Sequence, residues 1–333
     1  MTVHFGKSER DGRVISIDEP VRRKHVALLG KTGVGKTTLL YNMAFADLHG
    51  GVGFSVIDPH GSLVADLLGV VPRSRTNDVI LLNPAADHSR IMGINILEAV
   101  RPNERHLVVS SVIKIIKNLW PANWGPRSEW LLEHFLYALL ESPEPVTLAA
   151  LPKLITNKDY RASIVRYVAD PAILQFFDFY ESQNERLREE SVAPVLNKVS
   201  QFVTNRLMRA IVGQRTSSFD FRRLMDERRI LLANLSKGAL GDDVSSLLGR
   251  LIVTKLSLAS LSRENIPEQN RKLHVLYCDE MQNFTLGIDL PTILAESRNM
   301  LWALWSAHRL SQDCRGRPLR RSSETAARSQ AIA

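Results

Sequence analysis

Apolar residues near the start of the chain form short runs that alternate with helical patterns. The runs cover residues 26–29, 53–57 and 79–82. Residues 37–48 and 62–68 lie between them and carry apolar side chains three or four positions apart, which indicates amphipathic helices. A strand-helix-strand-helix-strand order of this kind favours a buried parallel sheet.

The strand pattern stops after about residue 97 and returns after residue 214. The intervening sequence predicts consecutive helices at residues 104–119, 128–140, 148–155, 172–180 and 185–211. Beyond them we predict strands at residues 230–235, 273–278 and 301–305, with helices at residues 243–262 and 290–299. One sheet is therefore expected to form from two halves that are distant in sequence.

This pattern divides the chain into five predicted segments. Residues 1–24 are expected to form an N-terminal hairpin segment. Residues 25–97 and 215–308 form the two halves of an α/β core, and residues 98–214 form an all-helical insertion. Residues 309–333, rich in Arg, Ser and Ala, are predicted to be a disordered basic tail.

Residues 30–37 match the pattern G-x-x-x-x-G-K-[ST], directly after a predicted strand and at the start of a predicted helix. In this context the backbone N–H groups surround phosphates, Lys36 contacts the β- and γ-phosphates, and the Thr37 hydroxyl binds Mg²⁺. The residues expected to hold the nucleotide here are Gly30, Lys31, Thr32, Gly33, Val34, Gly35, Lys36, Thr37 and Thr38. The motif predicts a site for ATP and Mg²⁺.

A second motif follows the apolar run 273–278, which ends in the adjacent carboxylates Asp279 and Glu280. Together with a phosphate-binding loop, this arrangement predicts that Asp279 holds Mg²⁺ and that Glu280 polarises the attacking water. A pair of acids that only caps the start of a helix remains the alternative.

Asp58 to Gly61 form a D-x-x-G sequence, which also occurs in GTPases. The interval after Lys36 is short, no N-K-x-D follows an apolar strand, and a GTPase would leave Asp279 and Glu280 unexplained. We therefore disfavour a GTPase. Asp58 lies either beside the nucleotide, at the carboxyl end of its strand, or in an Asp-Pro turn before a helix.

Composition adds few constraints. The chain has 333 residues, is 44% hydrophobic and 23% charged, and carries a net charge of +8. Half of that charge lies in the tail, which carries six arginines against Asp313 and Glu324, so charge supports nucleic-acid binding only weakly. Two cysteines and the lack of a long apolar run predict a reduced, cytoplasmic protein without its own membrane segment.

Three tryptophans lie around the loop at residues 121–126, namely Trp120, Trp124 and Trp130. They form either a surface on which nucleic-acid bases stack or ordinary packing of the loop and the core. The nine histidines show no spacing typical of metal ligands.

Together these motifs resemble the FtsK/HerA superfamily of hexameric DNA motors, and within it the TraD/TraG-like coupling and conjugation ATPases. The resemblance also includes residues 57–61, 123–129, 191–198, 234–238 and 248–252. It implies a RecA-like P-loop NTPase of α/β class with a mainly parallel sheet. It also implies a homohexamer that moves DNA, with secretion-channel or relaxosome proteins as partners and any membrane association supplied by a partner.

The resemblance implies a further role for Arg298, eighteen residues beyond Glu280. In the family an arginine at this position enters the ATP site of a neighbouring subunit; the alternative is a solvated arginine at a helix end. Relatives have a γ-phosphate-sensing glutamine where this chain has Arg309. We therefore expect a truncated or divergent C-terminal end that exposes a sheet edge and impairs hydrolysis or its coupling to movement.

Three functions follow from these residues. The first is an ATP-dependent DNA-translocating or coupling ATPase. The second is a secretion or packaging ATPase that moves protein and does not act on DNA. The third is a nucleotide-binding fragment that does not hydrolyse ATP.

Overall fold

A computed structural model of the chain describes residues 3–8, 10–86, 90–98, 102–119, 124–285 and 302–309. An antiparallel pair, β1 (Val3–Lys7) and β2 (Val14–Ile17), precedes the short helix α1 (Glu19–Arg22). Six parallel strands then form one sheet in the spatial order β3-β8-β7-β4-β6-β5. These strands are β3 (Val26–Gly30), β4 (Gly53–Asp58), β5 (Val79–Leu82), β6 (Ile230–Asn234), β7 (His274–Cys278) and β8 (Trp302–Arg309).

The strand order confirms the predicted α/β fold with a mainly parallel sheet. Strand β8 lies between β3, which leads into the phosphate-binding loop, and β7, which ends before Asp279. An additional strand therefore separates the two motifs. Strands β3, β4 and β5 come from the first half of the chain, and none of them is a neighbour of another.

Helices cover both faces of the sheet. Those of the two core halves are α2 (Lys36–His49), α3 (Ser62–Gly69), α11 (Phe221–Asp226), α12 (Lys237–Leu240), α13 (Asp242–Leu261) and α14 (Gln282–Thr285). The helices between them are α4 (Arg105–Leu119), α5 (Pro126–Glu141), α6 (Leu151–Thr156), α7 (Lys158–Val165), α8 (Pro171–Ser182), α9 (Glu185–Thr204) and α10 (Arg206–Val212).

The prediction of a single helix over residues 185–211 was wrong. The Asn205 side chain accepts hydrogen bonds from the backbone N–H groups of Leu207 and Met208, so it ends α9 and caps α10. Helix α7 was not predicted, although Asn157 caps it in the same way by accepting from Tyr160 N at 2.7 Å. The predicted helix at residues 290–299 lies outside the described residues.

Two apolar clusters hold the sheet between its helices. On one face, side chains of α2 and α3 such as Leu40 and Leu63 pack on Phe54 and Trp305. On the other face, α13 connects the sheet to the helices between β5 and β6 in one larger cluster. Residues 242–265, α13 and the turn after it, are long and apolar enough to cross a membrane, but 72% of the most apolar window is buried within the fold. It is the central core helix.

A buried polar triad connects three of these elements. Arg22 at the end of α1 forms an ion pair with Asp47 of α2, and the two side chains are 1% and 0% exposed. The hydroxyl of Tyr277 on β7 donates to the second oxygen of Asp47 at 2.6 Å. The triad therefore joins the N-terminal segment to the helix that follows the phosphate-binding loop and to the strand that leads to Asp279.

His274 at the start of β7 makes stability depend on pH. It is fully buried with Nε2 2.9 Å from Ser55 Oγ. Burial, assisted by Arg263, lowers the pKa of His274 to about 3. The imidazole thus stays neutral in the folded chain, whereas the unfolded chain binds a proton below about pH 6.5.

We therefore expect His274 to reduce the free energy of unfolding by about 1.4 kcal/mol per pH unit as the pH falls from about 6.5 towards 3. Urea unfolding of the wild type and of His274→Gln at pH 7, 6 and 5 measures this contribution. The variant is expected to lose stability less steeply with acidification. Equal slopes for the two proteins would contradict a neutral buried imidazole.

Candidate nucleotide-binding site

The backbone of the phosphate-binding loop explains its glycines. Gly33 and Gly35 adopt left-handed φ angles of 83° and 86°, which residues with a Cβ rarely adopt. Helix α2 begins directly afterwards at Lys36, and its N-cap residue, Gly35, has no side chain with which to cap it. The N–H groups of its first turn and the positive end of the helix dipole therefore suit a phosphate group.

The amine of Lys36 lies across this loop. Its Nζ donates hydrogen bonds to the carbonyl oxygens of Gly30 at 3.1 Å and Lys31 at 2.9 Å. These contacts hold a positive charge beside the uncapped helix N-terminus. Both features favour the same ligand, a group with several negatively charged oxygens.

Thr37 and Asp279 bring the two motifs into contact. The Thr37 hydroxyl donates to Asp279 Oδ2 at 2.8 Å, although the two residues are 242 positions apart in sequence. A hydroxyl and a carboxylate oxygen at this separation are the type of ligand that Mg²⁺ binds together with nucleotide phosphates. The residues present therefore fit the predicted metal, which Thr37 and Asp279 would hold.

The environment of Asp279 is electrostatically unfavourable for a carboxylate. Burial raises the pKa of Asp279 above its ordinary value, and repulsion from Asp58 and Glu280 adds to the shift. Hydrogen bonds from Thr37 and from the backbone N–H of Glu280 oppose it. A cation at this position would relieve the repulsion among the three carboxylates.

Glu280 has an unusual backbone. Its φ angle is 47°, in the left-handed region that side chains other than glycine seldom occupy and that is often found at functional sites. Its carboxylate accepts a hydrogen bond from Nε2 of Gln282. Nothing in the pattern of residues points to Gln282, because its amide turns back towards Glu280 only in the folded chain.

Asp58 lies at the same edge of the sheet, but its carboxylate binds backbone N–H groups. Its Oδ1 accepts from His60 N at 2.8 Å, and its Oδ2 accepts from Val64 N at 3.1 Å. The buried carboxylate thus caps the start of α3. Both oxygens are engaged by the backbone, and a contact between Asp58 and the nucleotide remains a prediction.

The other residues singled out in the sequence lie elsewhere. Arg298 is outside the described residues, as is Trp120. The backbone of Arg309 pairs with that of Gly30, where β3 ends and the phosphate-binding loop begins. Trp124 Nε1 donates to Glu129 at 3.3 Å, and Trp130 lies on α5, so both belong to the helices between β5 and β6.

Solved structures with the same fold include a plasmid coupling protein and VirB4. The plasmid coupling protein TrwB in complex with ADP and Mg²⁺ matches with a TM-score of 0.59 and 14% identity, over 92% of this chain and 67% of TrwB. VirB4 of Thermoanaerobacter pseudethanolicus matches with a TM-score of 0.57 and 14% identity, over 92% of this chain and 76% of VirB4.

Comparison of sequences identifies the family. The type 4 coupling protein DotL of Legionella pneumophila is 23% identical over 297 residues, which cover 76% of this chain but only 38% of DotL. The chain thus spans well under half the length of this relative. The family of the type IV secretion-system coupling protein DNA-binding domain matches residues 12–303. The chain therefore belongs to the type IV secretion-system coupling protein family.

Proposed function

We propose that this chain is the ATP-hydrolysing motor domain of a coupling protein that moves DNA. The observation that supports this most directly is the contact of Thr37 with Asp279, which joins the phosphate-binding loop to the carboxylate pair. A chain that only bound nucleotide would not need Glu280 next to that contact in a strained backbone conformation.

Each residue would act through its position. The loop N–H groups and Lys36 would bind the phosphates, and Thr37 and Asp279 would hold Mg²⁺. The metal would supply positive charge to balance the charge on the transferred phosphoryl group. Glu280 would accept a proton from the attacking water, and its hydrogen bond with Gln282 would direct the carboxylate.

DNA as the moved substrate is supported by the family, whose description names a DNA-binding domain. The net charge of +8 is compatible with a polyanion. We further propose a homohexamer with Arg298 of each subunit at the ATP site of its neighbour. The assembly would be cytoplasmic and would reach secretion-channel or relaxosome proteins, and through them the membrane.

Steady-state ATP hydrolysis with and without DNA tests this proposal. We expect DNA to stimulate ATP hydrolysis by the wild type. The substitution Lys36→Ala is expected to reduce the rate of hydrolysis by about 100-fold or more, because one preorganised charge at the phosphates is lost. Lys158→Ala is the matched control, since this exposed lysine on α7 is remote in sequence from both motifs.

Two results would change the proposed function. Hydrolysis that Lys36→Ala abolishes but DNA does not stimulate would replace DNA with a protein as the moved substrate. Nucleotide binding without hydrolysis, measured at several salt concentrations, would identify a nucleotide-binding domain that does not hydrolyse ATP.

A further inference from the structure

Two large aromatic side chains are exposed next to each other in the helical part of the chain. Trp130 on α5 is 39% exposed and Phe179 on α8 is 53% exposed. They border a cavity of about 360 Å³ that is also lined by Phe176, Tyr180, Arg127 and Gln183. Neighbouring exposed aromatic rings around a cavity are typical of a binding site rather than of ordinary surface.

The packing beneath Trp130 holds its ring in place. Trp130 contacts the buried ring of Phe176 edge to face, with the centroids 4.9 Å apart. Phe176 in turn packs against Phe135 and Tyr180 at 5.5 and 5.9 Å. The Phe179 ring lies 6.3 Å from Trp130 at an angle of 66°, so the two exposed rings are not stacked face to face. Rigidly supported aromatic surface is what a flat ligand needs for stacking at low cost in conformational entropy.

Two polar groups of the cavity, the guanidinium of Arg127 and Oε1 of Gln183, have respectively no ion pair and no hydrogen bond among the residues whose structure is described. Arg127 in the first turn of α5 is exposed and forms no ion pair with any described residue. Oε1 of Gln183 is buried and accepts no hydrogen bond from the described part of the chain. The nearby carboxylate of Glu129 already accepts from Lys117 and Trp124. Because Gln183 Oε1 is inaccessible, the cavity offers a ligand aromatic surface and, among the described residues that line it, one arginine without an ion pair.

We propose that this cavity binds one nucleotide of single-stranded DNA. The base stacks on the exposed ring of Phe179, beside Trp130, and its phosphate lies at Arg127. Stacking within a duplex would cover the base faces, so the site selects unpaired bases. This inference rests on the proposed function in taking DNA as the ligand, and it adds a site outside the ATPase centre.

Binding of a labelled 15-nucleotide oligothymidylate to the full chain, followed by fluorescence anisotropy without ATP, tests the site. We expect Phe179→Ala to weaken binding about tenfold, because one base loses a stacking partner. Arg127→Ala is expected to lower the slope of log affinity against log salt concentration by about 0.7, because one phosphate contact is lost.

The control is Tyr167→Ala, which removes another exposed aromatic ring of the helical part, 42% exposed, that does not line the cavity. It is expected to bind oligothymidylate as the wild type does. Thermal unfolding of all three variants checks that they fold, and the exposure of Phe179 and Arg127 makes a large loss of stability unexpected.

The outcomes separate this inference from the proposed function. Wild-type binding that Phe179→Ala and Arg127→Ala leave intact would overturn the nucleotide site, and DNA-stimulated hydrolysis would still support the motor. An equal loss of affinity for a 15-base-pair duplex would also overturn the site. Weakened single-strand binding in Phe179→Ala would support it even for a chain that does not hydrolyse ATP. Binding of an aromatic peptide but not of oligothymidylate would replace DNA with a protein partner.

Discussion

Replacing Glu280 with glutamine is expected to slow steady-state ATP turnover about 10²- to 10⁴-fold while nucleotide binding is retained. The amide has the shape of the carboxylate and can still accept from Gln282, but it cannot take a proton from water. The loss should therefore appear in kcat. Turnover and the affinity for a non-hydrolysable ATP analogue, measured on the same preparations, give the two values.

Glu264→Gln is the matched control for this change, because Glu264 is an exposed carboxylate on the turn after α13. It is expected to leave turnover unchanged. Normal turnover in Glu280→Gln would show that Glu280 is not the base. The acid pair after β7 would then have only its local role, in which Asp279 accepts from the N–H of Glu280.

Arg22→Leu is expected to destabilise the fold by about 3–5 kcal/mol. The substitution leaves the carboxylate of Asp47 buried without its counter-charge, and Tyr277 alone cannot compensate for it. Urea unfolding measures the change. Because Asp47 lies on α2, which begins at Lys36, we also expect the variant to lose nucleotide affinity near its unfolding midpoint.

Arg13→Leu is the matched control, since the ion pair of Arg13 with Asp11 lies in the same N-terminal segment with the arginine 86% exposed. A change within about 0.5 kcal/mol is expected for it. Combining Arg22→Leu with Asp47→Asn should recover part of the loss, because a neutral amide can be buried without a counter-charge. No recovery would mean that most of the destabilisation comes from the lost packing of Arg22, which lies over the ring of Trp305.

The features of the phosphate-binding loop that a sequence can indicate depend on local chemistry. The left-handed backbone at Gly33 and Gly35 and the helix start at Lys36 are dictated by residues within one short segment. Strands β4 and β7 are nearly continuous apolar runs because both faces of the sheet are covered. Patterns of this kind need no knowledge of the rest of the chain.

The remaining features depend on contacts that are distant in sequence. Nothing local shows that Tyr277 and Asp47 meet, because their hydrogen bond spans 230 residues. The amide of Gln282 acquires its surroundings, next to the carboxylate of Glu280, only after folding. The break between α9 and α10 at Asn205 was not predicted, although a capping asparagine is a local feature of the sequence. The helical spacing of apolar residues in α9 continues through it.

The order of strands in the sheet has a consequence for synthesis on the ribosome. Strands β3, β4 and β5 emerge first, yet each has hydrogen-bonded neighbours only among β6, β7 and β8. Strand β3, which leads into the phosphate-binding loop, pairs solely with β8 among the described strands. It therefore cannot form these backbone hydrogen bonds until residue 309 has left the ribosomal exit tunnel. The apolar strands β3, β4 and β5 thus remain unpaired until β6, β7 and β8 have been synthesised. We expect slow folding of high contact order and a need for chaperones to shield these nascent strands.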